Sequence, residues 1–271
     1  MTDEQEPQLE AQSVTLGYGA HTATCRDLTL SIRPGAFTVI VGPNACGKST
    51  LLRALARLLV PSHGRVVLDG QDINRLKTRD VACRLGLLPQ ASTAPEGICV
   101  AELVARGRYP HQSLLRQWSA ADEDAVRSAI AATDIAGLSD RPVDTLSGGQ
   151  RQRAWVAMAL AQETPILLLD EPTTFLDIAH QIDLMDLLER LNRQGRTIVA
   201  VLHDLNQAAR YASHLVAMKD GRIIAEGHPR DVVTQEMVKT IFDIACIVID
   251  DPITGLPMVV PTRRACAEGG E

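Results

Sequence analysis

Hydrophobic residues along this chain follow two different spacings. Almost continuously apolar runs of strand length lie at 38–41, 165–170 and 197–202. Such runs predict parallel strands that are buried on both faces. The alternation at 13–16 and 28–32 predicts antiparallel strands, and helical spacing at 51–55 and 180–194 separates the buried runs. Strands that alternate with helices predict an α/β fold with a mostly parallel central sheet.

The middle of the chain carries a different pattern. From about residue 98 to residue 140, helical spacing and alanine-rich faces occur without strand-like alternation. We therefore predict a helical insert within a single α/β domain that spans 1–271. The predicted division is a weakly ordered lead at 1–11, a core at about 12–90 and 156–250, a helical subdomain at about 91–155, and a C-terminal tail at 251–271.

Composition narrows the choice of partners. The chain has 271 residues, 45% of them hydrophobic, and a formal net charge of -6. This acidic balance argues against a nucleic-acid partner, because phosphate neutralisation needs a clustered basic surface. The six cysteines lack a C-x-x-C pair, so they predict neither a zinc site nor a disulfide framework. No apolar run approaches the ~18 residues that cross a bilayer, so we expect a partner to provide any membrane part.

A glycine-rich loop after the run at 38–41 is the first chemical signal. It comprises Gly42, Pro43, Asn44, Ala45, Cys46, Gly47, Lys48, Ser49 and Thr50, with the spacing G-x-x-x-x-G-K-[ST]. In such a loop the backbone N–H groups bind phosphate oxygens, the lysine reaches the β- and γ-phosphates, and the serine hydroxyl binds Mg²⁺. The pattern predicts a nucleotide site built on Lys48 and Ser49. The alternative, a chance glycine-rich turn, does not require strand, loop and helix in register.

Two carboxylates end the buried run at 165–170. Asp170 and Glu171 lie at its C-terminal end, where ligands of open α/β sheets bind. Successive side chains point to different sides, so we assign Asp170 to magnesium and Glu171 to general-base work on an attacking water. A solvated acidic turn is the alternative, but it does not explain the apolar run that precedes the pair.

A second anion-binding helix start is predicted at 147–150. Ser147, Gly148, Gly149 and Gln150 come directly before a helix-like stretch, and the free N–H groups and dipole of a helix start attract anions. As a lone motif this is equally a capped helix. The chain has two such helix starts but one lysine-bearing loop, so we expect one nucleotide to contact both. Tyr18, in a glycine-flanked turn, is either a purine-stacking ring or a plain surface residue.

This ordered set of motifs resembles the ATP-binding subunits of ABC transporters, over nearly the whole chain. The loop at 42–50 resembles the Walker A motif, 146–150 the ABC signature, 166–170 with Glu171 the Walker B motif and catalytic glutamate, and 174–177 the D-loop. The resemblance implies a P-loop NTPase (RecA-like) fold. That fold has a mostly parallel core sheet, an antiparallel β subdomain and a helical subdomain.

The resemblance also implies roles for single residues. Gln90 matches the Q-loop glutamine that senses Mg²⁺ or water, and His203 matches the switch histidine that contacts the γ-phosphate and orients the glutamate and water. Tyr18 matches the adenine-stacking aromatic, and Asp177 the D-loop aspartate. ATP is then the substrate and Mg²⁺ the cofactor, and the implied metal-binding residues are Ser49, Gln90 and Asp170.

Partners follow from the same resemblance. In this family two ATPase subunits sandwich two ATP molecules, each held by the Walker A motif of one subunit and the signature of the other. We therefore expect a second copy of this chain as partner. Integral membrane permease subunits and, indirectly, an extracytoplasmic substrate-binding protein are also implied, with the chain at the cytoplasmic face of the cell membrane, held there through the permease.

Three stretches resemble the importer ATPases for ferric siderophores, haem and cobalamin. They lie at 105–111, 172–181 and 250–257. The ferric-siderophore branch is the nearest match, so the expected function is ATP hydrolysis that powers ferric-siderophore import. A haem or cobalamin importer, an exporter, and a soluble ABC ATPase without a permease are the alternatives. Composition alone predicts a solvated helix end at 105–111. The resemblance instead implies that this stretch is a docking surface for the permease.

Ala45 departs from the family pattern, which usually has glycine at this position of the loop. A positive φ there would strain an alanine by about 1 kcal/mol or more. We therefore predict that ATP binding is retained with altered affinity.

Overall fold

The computed structural model describes residues 8–18, 23–90, 93–112 and 118–262. Its strands are β1 (Leu9–Gly17), β2 (Ala23–Ile32), β3 (Phe37–Val41), β4 (His63–Leu68), β5 (Gln71–Asp72), β6 (Leu85–Leu88), β7 (Ile166–Asp170), β8 (Thr197–Val201), β9 (His214–Lys219), β10 (Arg222–Gly227), β11 (Cys246–Asp250) and β12 (Pro257–Pro261). Its helices are α1 (Lys48–Leu55), α2 (Thr78–Ala82), α3 (Val100–Ala105), α4 (Ala120–Ala132), α5 (Gly148–Ala161), α6 (Ile178–Arg193), α7 (Leu205–Tyr211), α8 (Pro229–Val232) and α9 (Gln235–Phe242).

The central sheet has six strands in the order β10-β9-β3-β8-β7-β6. Every neighbouring pair is parallel except β10 with β9, which confirms the mostly parallel core sheet. The carboxyl ends of β3, β7 and β8 therefore meet at one edge. The loops that follow Val41, Asp170 and Val201 all start there, which is the position where ligands of such sheets bind.

Both faces of this sheet are buried. Val39 and Val41 of β3 belong to one hydrophobic core, and Ile40 between them belongs to the other. In β7, Leu167 and Leu168 divide between the two cores in the same way. This two-sided burial is the physical reason for the almost continuously apolar runs in the sequence.

A second sheet is antiparallel and has the order β2-β1-β4-β5. It shares a hydrophobic core with α1, which confirms the predicted antiparallel subdomain. The predicted helical insert is also present: α3, α4 and α5 pack on one another, and a 3₁₀ helix at Arg106–His111 follows α3.

The structure differs from the sequence-based expectation at both ends. The weakly ordered lead predicted at 1–11 is wrong for its last three residues, because β1 begins at Leu9 and both Leu9 and Ala11 are fully buried. Period-two alternation already starts at Leu9, ahead of the predicted strand. The segment assigned to the tail contains β12, which pairs with β11 in a hairpin. The remaining parts of those two predicted segments, 1–7 and 263–271, lie outside the described residues.

Among the described residues, no helix combines the length and the apolar character that a membrane span needs.

Candidate active site

The glycine-rich loop connects the end of β3 to the start of α1, as predicted. Gly42 and Gly47 have φ values of 155° and 106°. A Cβ on Gly42 would lie 2.2 Å from the Met218 carbonyl oxygen, and a Cβ on Gly47 would lie 2.7 Å from the Cys25 Sγ. These two positions require glycine because β9 and β2 press against the loop from beneath.

Ala45 lies in the same loop with a φ of 61°. The left-handed torsion expected for this position is therefore present, although an alanine occupies it. A single left-handed alanine costs about 1 kcal/mol, so this loop stores strain beside the cleft that it lines.

Lys48 is the first residue of α1 and is almost fully buried. Its ammonium donates hydrogen bonds of 2.8 Å to the carbonyl oxygens of Gly42 and Pro43. The loop thus wraps around the Lys48 side chain, and the ammonium is held at the N-terminal end of α1. A fixed cation and free N–H groups at one point suit a polyphosphate.

Ser49 and Asp170 meet between α1 and β7. The Ser49 hydroxyl donates a 2.9 Å hydrogen bond to Asp170 Oδ1. Asp170 is 2% exposed, and burial raises the pKa of its carboxyl; the Glu171 carboxylate raises it further, while the Ser49 hydrogen bond lowers it. A hydroxyl and a buried carboxylate are hard oxygen donors, and a divalent cation would stabilise the ionised carboxylate. The pair fits Mg²⁺, which typically takes one or two protein oxygens alongside phosphates and water.

Glu171 and His203 face each other across the carboxyl ends of β7 and β8. His203 Nε2 lies 2.6 Å from Glu171 Oε1. Glu171 has a φ of 52°, and its side chain is only 11% exposed. Such strained torsions occur where the surroundings over-determine them, as they do at functional sites. Thr174 adds a weak hydrogen bond of 3.5 Å to the other carboxylate oxygen.

These elements surround one cleft of about 720 Å³. Its lining residues are Tyr18, Thr24, Asn44, Ala45, Gly47, Lys48, Ser49, Thr50, Gln90, Glu171 and His203. The structure therefore brings together predicted residues from five separate segments: Tyr18, the glycine-rich loop, Gln90, Glu171 and His203. Of the predicted loop residues, Gly42, Pro43 and Cys46 do not line the cleft; the first two supply carbonyls to Lys48, and Cys46 is buried.

Two residues near this cleft carry no motif in the sequence. Thr24 lines the cleft from β2. Arg53 of α1 donates a 3.0 Å hydrogen bond to the Tyr18 hydroxyl, and its guanidinium carbon lies 6.0 Å from the centroid of the ring. Arg53 therefore holds Tyr18, which is 54% exposed, at the rim of the cleft. The sequence offered one signal for Arg53, which is its position one helical turn after the glycine-rich loop.

The predicted signature and D-loop lie together, apart from that cleft. Ser147 caps α5, and its hydroxyl accepts a hydrogen bond from the Gln150 backbone N–H. Cβ atoms built on Gly148 and Gly149 would come within 3.3 Å of Phe175. Phe175 belongs to the predicted D-loop and is 75% exposed. None of the four signature residues is among the lining residues of the cleft.

Asp177 ends the D-loop and starts α6. Its carboxylate accepts a 2.9 Å hydrogen bond from the His180 backbone N–H and lies 2.7 Å from His180 Nδ1. These contacts lower the pKa of the Asp177 carboxyl, the backbone hydrogen bond most. Asp177 does not line the cleft either.

The stretch at 105–111 is partly buried, so it does not have a purely surface role. Arg108 is 5% exposed, and its guanidinium pairs with Asp122 and Glu163 and donates to the Ala161 carbonyl, at 2.7–2.8 Å. A Cβ on Gly107 would lie 2.2 Å from the Met158 carbonyl oxygen. The expected docking surface is therefore wrong for Arg108, which joins the 3₁₀ helix at Arg106–His111 to α4 and to the end of α5.

Comparison with known proteins bears directly on this site. The model of the ABC transporter family matches residues 25–174, which is more than half of the chain. The chain belongs to the ABC transporter family. Its matched part includes the glycine-rich loop, Asp170 and Glu171.

Individual relatives agree with this assignment. The ferric enterobactin transport ATP-binding protein of Escherichia coli K12 is 57% identical over 262 residues, which cover 96% of each chain. An inward-facing ABC transporter described as of metal-chelate type superimposes with a TM-score of 0.79 at 26% identity, over 96% of this chain and 98% of the other. A dimeric bacterial ABC transporter cassette gives a TM-score of 0.74 at 28% identity, over 81% of this chain and 98% of the other.

Membership of this family establishes the general activity. The chain is an ABC-type ATPase, that is, an ATP-hydrolysing cassette of a transporter. Cassettes of this kind act in pairs and together with permease subunits.

Proposed function

We propose that this chain is the ATPase subunit of an importer for ferric siderophores. The observation that carries the proposal is the 57% identity with a ferric enterobactin transport ATP-binding protein across 96% of both chains. Along so complete a match, the surfaces that receive a permease are expected to correspond as well. The permease would hold the chain at the cytoplasmic face of the membrane, and a substrate-binding protein would deliver the chelate from the other side.

In this proposal the 720 Å³ cleft binds ATP. The N–H groups of the loop at 42–50 and the Lys48 ammonium bind the phosphates, and Tyr18 stacks on the adenine. Phosphate oxygens would replace the two carbonyls that Lys48 contacts now. Arg53 supports this arrangement because it fixes the tyrosine ring at the rim.

Ser49 and Asp170, with Gln90, which also lines the cleft, would hold Mg²⁺. When bound, the ion neutralises charge on the β- and γ-phosphates during phosphoryl transfer. Ser49 Oγ and Asp170 Oδ1 already converge, at 2.9 Å. Gln90 follows β6 and precedes the helical insert in the chain, so we expect it to report occupancy of the site to the permease side.

Glu171 is the proposed general base. It accepts a proton from the water that attacks the γ-phosphorus, and the bond from that phosphorus to the bridging oxygen breaks as ADP leaves. His203, 2.6 Å away, fixes the carboxylate, and we expect it to contact the γ-phosphate as well. A poorly exposed carboxylate is well suited to this step because the contact with His203 restricts its orientation.

The second half of each site would come from another copy of this chain. Ser147, Gly148, Gly149 and Gln150 form a capped helix start with free N–H groups, but they do not line this chain's own cleft. Two copies packed head to tail would place the signature of one copy over the ATP of the other. Asp177 and the exposed Phe175 beside it would then lie in the contact between the copies.

Transport by the reconstituted system tests the proposed cargo. The chain and its permease are co-expressed, and membrane vesicles are prepared from the cells. Uptake of a radioactive ferric siderophore into these vesicles is then compared with uptake of haem and of cobalamin. The proposal predicts ATP-dependent uptake of the siderophore alone, abolished by Lys48→Ala. Uptake of haem or cobalamin instead would show that the proposed cargo is wrong. Failure of the chain to co-purify with any permease would favour a soluble ABC ATPase.

A further inference from the structure

A shallow groove lies between α6 and the C-terminal hairpin, outside the ATP cleft. It has a volume of about 200 Å³, and its apolar lining includes Ile178, Ile182, Leu256, Pro257 and Met258. Ile178 and Ile182 are 77% and 44% exposed. Beside the groove, Ile253 at the tip of the hairpin is 85% exposed. The molecule therefore presents an aliphatic knob, Ile253, next to a groove whose lining is aliphatic on α6 and the hairpin. Polar side chains of α7, among them Asn206, Gln207 and Arg210, complete that lining.

The hairpin holds Ile253 in a defined position. Asp251 is buried and accepts hydrogen bonds from the Ile253 backbone N–H at 2.8 Å and from Arg210 Nε at 3.1 Å. Asn206 and Val259 exchange two further hydrogen bonds, of 3.2 and 2.8 Å. A side chain on so well anchored a loop loses little freedom on binding, which favours its use as a contact.

This face adjoins the elements proposed to meet a second copy. Helix α6 starts directly after Asp177, and α7 starts two residues after His203. The Gln207 side chain donates a 2.9 Å hydrogen bond to Gln181 Oε1 and so ties the two helices together. Exposed apolar side chains thus extend from Phe175 through Ile178 and Ile182 on α6 to Ile253 on the hairpin.

We propose that Ile253 of each copy enters the α6–hairpin groove of the other copy. This contact rests on the proposed head-to-tail dimer and extends it beyond the ATP sites. A two-fold axis makes such a contact self-complementary, because knob and groove on one copy meet groove and knob on the other. Since the hairpin is anchored to α7, which follows His203, the contact joins the switch region of one copy to α6 of its partner.

Other occupants match the groove less well. Residues 263–271 offer only alanine and cysteine as apolar side chains, and residues 1–7 offer only Met1 and Pro7. The permease is expected at the helical insert, whereas this groove lies on α6, α7 and the hairpin. A second copy supplies an isoleucine knob that is already exposed and in a fixed position.

Dimer affinity tests the contact. The full chain carrying Glu171→Gln is studied by sedimentation velocity with Mg-ATP, with and without Ile253→Asp. Removing one buried isoleucine per half of the interface should weaken the dimer at least about tenfold. Ile224→Asp is the matched control, because Ile224 is 46% exposed on edge strand β10. Equal dimer affinities for the two variants would overturn the contact.

Cross-linking keeps this test separate from that of the ATP sandwich. Two differently tagged Glu171→Gln chains, one also with Ile253→Cys and one also with Ile182→Cys, are joined by a short bis-maleimide in the assembled transporter with Mg-ATP, the state in which the proposed dimer forms. A band that contains both tags, above the level given by a pair with Ile224→Cys in place of Ile253→Cys, is expected. Absence of that excess overturns the contact, whether or not the isolated chain dimerises with ATP. Failure of the Glu171→Gln parent to dimerise with Mg-ATP counts against the proposed sandwich instead.

Discussion

His203 Nε2 lies 2.6 Å from Glu171 Oε1, although 32 positions separate the two residues in the chain. The carboxyl ends of the neighbouring parallel strands β7 and β8 bring them together. Glu171 keeps a left-handed backbone torsion at this point, with a φ of 52°. A carboxylate and an imidazole are thus fixed in one geometry before any substrate enters, at the wall of the cleft that contains Lys48.

Glu171→Gln should lower ATP turnover by at least about a hundredfold, because a general base contributes about 10²–10⁴ in rate. ATP affinity should change little, since the amide keeps the shape of the carboxylate. Turnover by phosphate release and affinity by a fluorescent ATP analogue measure the two effects separately. Glu236→Gln, at an exposed position on α9, is the matched control. Turnover close to wild type in Glu171→Gln would contradict the proposed role.

Ala45→Gly should relieve the strain at a φ of 61°. The gain in unfolding free energy is expected to be at most about 1 kcal/mol, because glycine also gains entropy in the unfolded chain. Ala131→Gly, at an exposed position in α4, should lower the unfolding free energy by about 0.5–1 kcal/mol instead. Denaturant unfolding and ATP affinity are measured for both variants. A loss of stability in Ala45→Gly equal to that in Ala131→Gly would show that the alanine is unstrained.

Arg108→Met should destabilise the protein by about 3–5 kcal/mol, because it leaves the buried Asp122 carboxylate without its guanidinium partner. Arg127 provides the contrast: it pairs with Asp124 on the same helical insert, but both side chains are exposed. Arg127→Met should cost no more than about 1 kcal/mol. Equal losses in urea unfolding would show that the Arg108 pair is as weak as a surface pair.

Asp122 adds a pH dependence to this ion pair. The Ser119 hydroxyl and Arg108 lower the pKa of the Asp122 carboxyl to about 2, against the opposing effect of burial. Because folding lowers this pKa, the carboxylate stabilises the fold above its ordinary pKa, and this contribution is lost as the pH falls toward 2. The stability difference between wild type and Asp122→Asn should therefore be constant from pH 7 to pH 5 and shrink below about pH 4. A difference that grows on acidification would contradict the assignment.

Cys25 should resist alkylation. Burial, with a smaller effect of Cys46, raises the pKa of its thiol to about 11, so the reactive thiolate is scarce until the pH approaches that value. Iodoacetamide labelling at pH 8–9, read out for each site by mass spectrometry, should modify the partly exposed Cys83 and Cys99 first. Labelling of Cys25 at the same rate as Cys99 would show that the loop above it opens.

The sequence was sufficient for features that depend on local pattern. Runs such as 38–41 and 165–170 predicted buried parallel strands because burial on both faces leaves few polar positions. The loop at 42–50 was recognisable because its glycines are dictated by backbone geometry, as the close approach of Met218 to Gly42 shows. The convergence of Lys48 and Glu171 with His203 depends on the strand order, which the structure supplies; for His203 the sequence offered only the family resemblance.

Features that depend on distant contacts were not predictable. Arg108 reads as a surface arginine, because its partner carbonyl at Ala161 is 53 positions away. The hairpin was missed because its stability comes from Arg210 and Asn206 on α7, not from its own alternation. Thr24 carries no motif and reaches the cleft only because β2 packs beneath the loop.

The central claim is that each ATP site is completed by a second copy of the chain. Sedimentation velocity of the Glu171→Gln chain with and without Mg-ATP tests this claim most directly, with Glu171→Gln/Ser147→Arg as the comparison. We expect dimers that contain two ATP molecules only for the first protein, while the second binds ATP as a monomer. A Glu171→Gln chain that binds Mg-ATP and stays monomeric, or a dimer that forms equally well with Ser147→Arg, would contradict it.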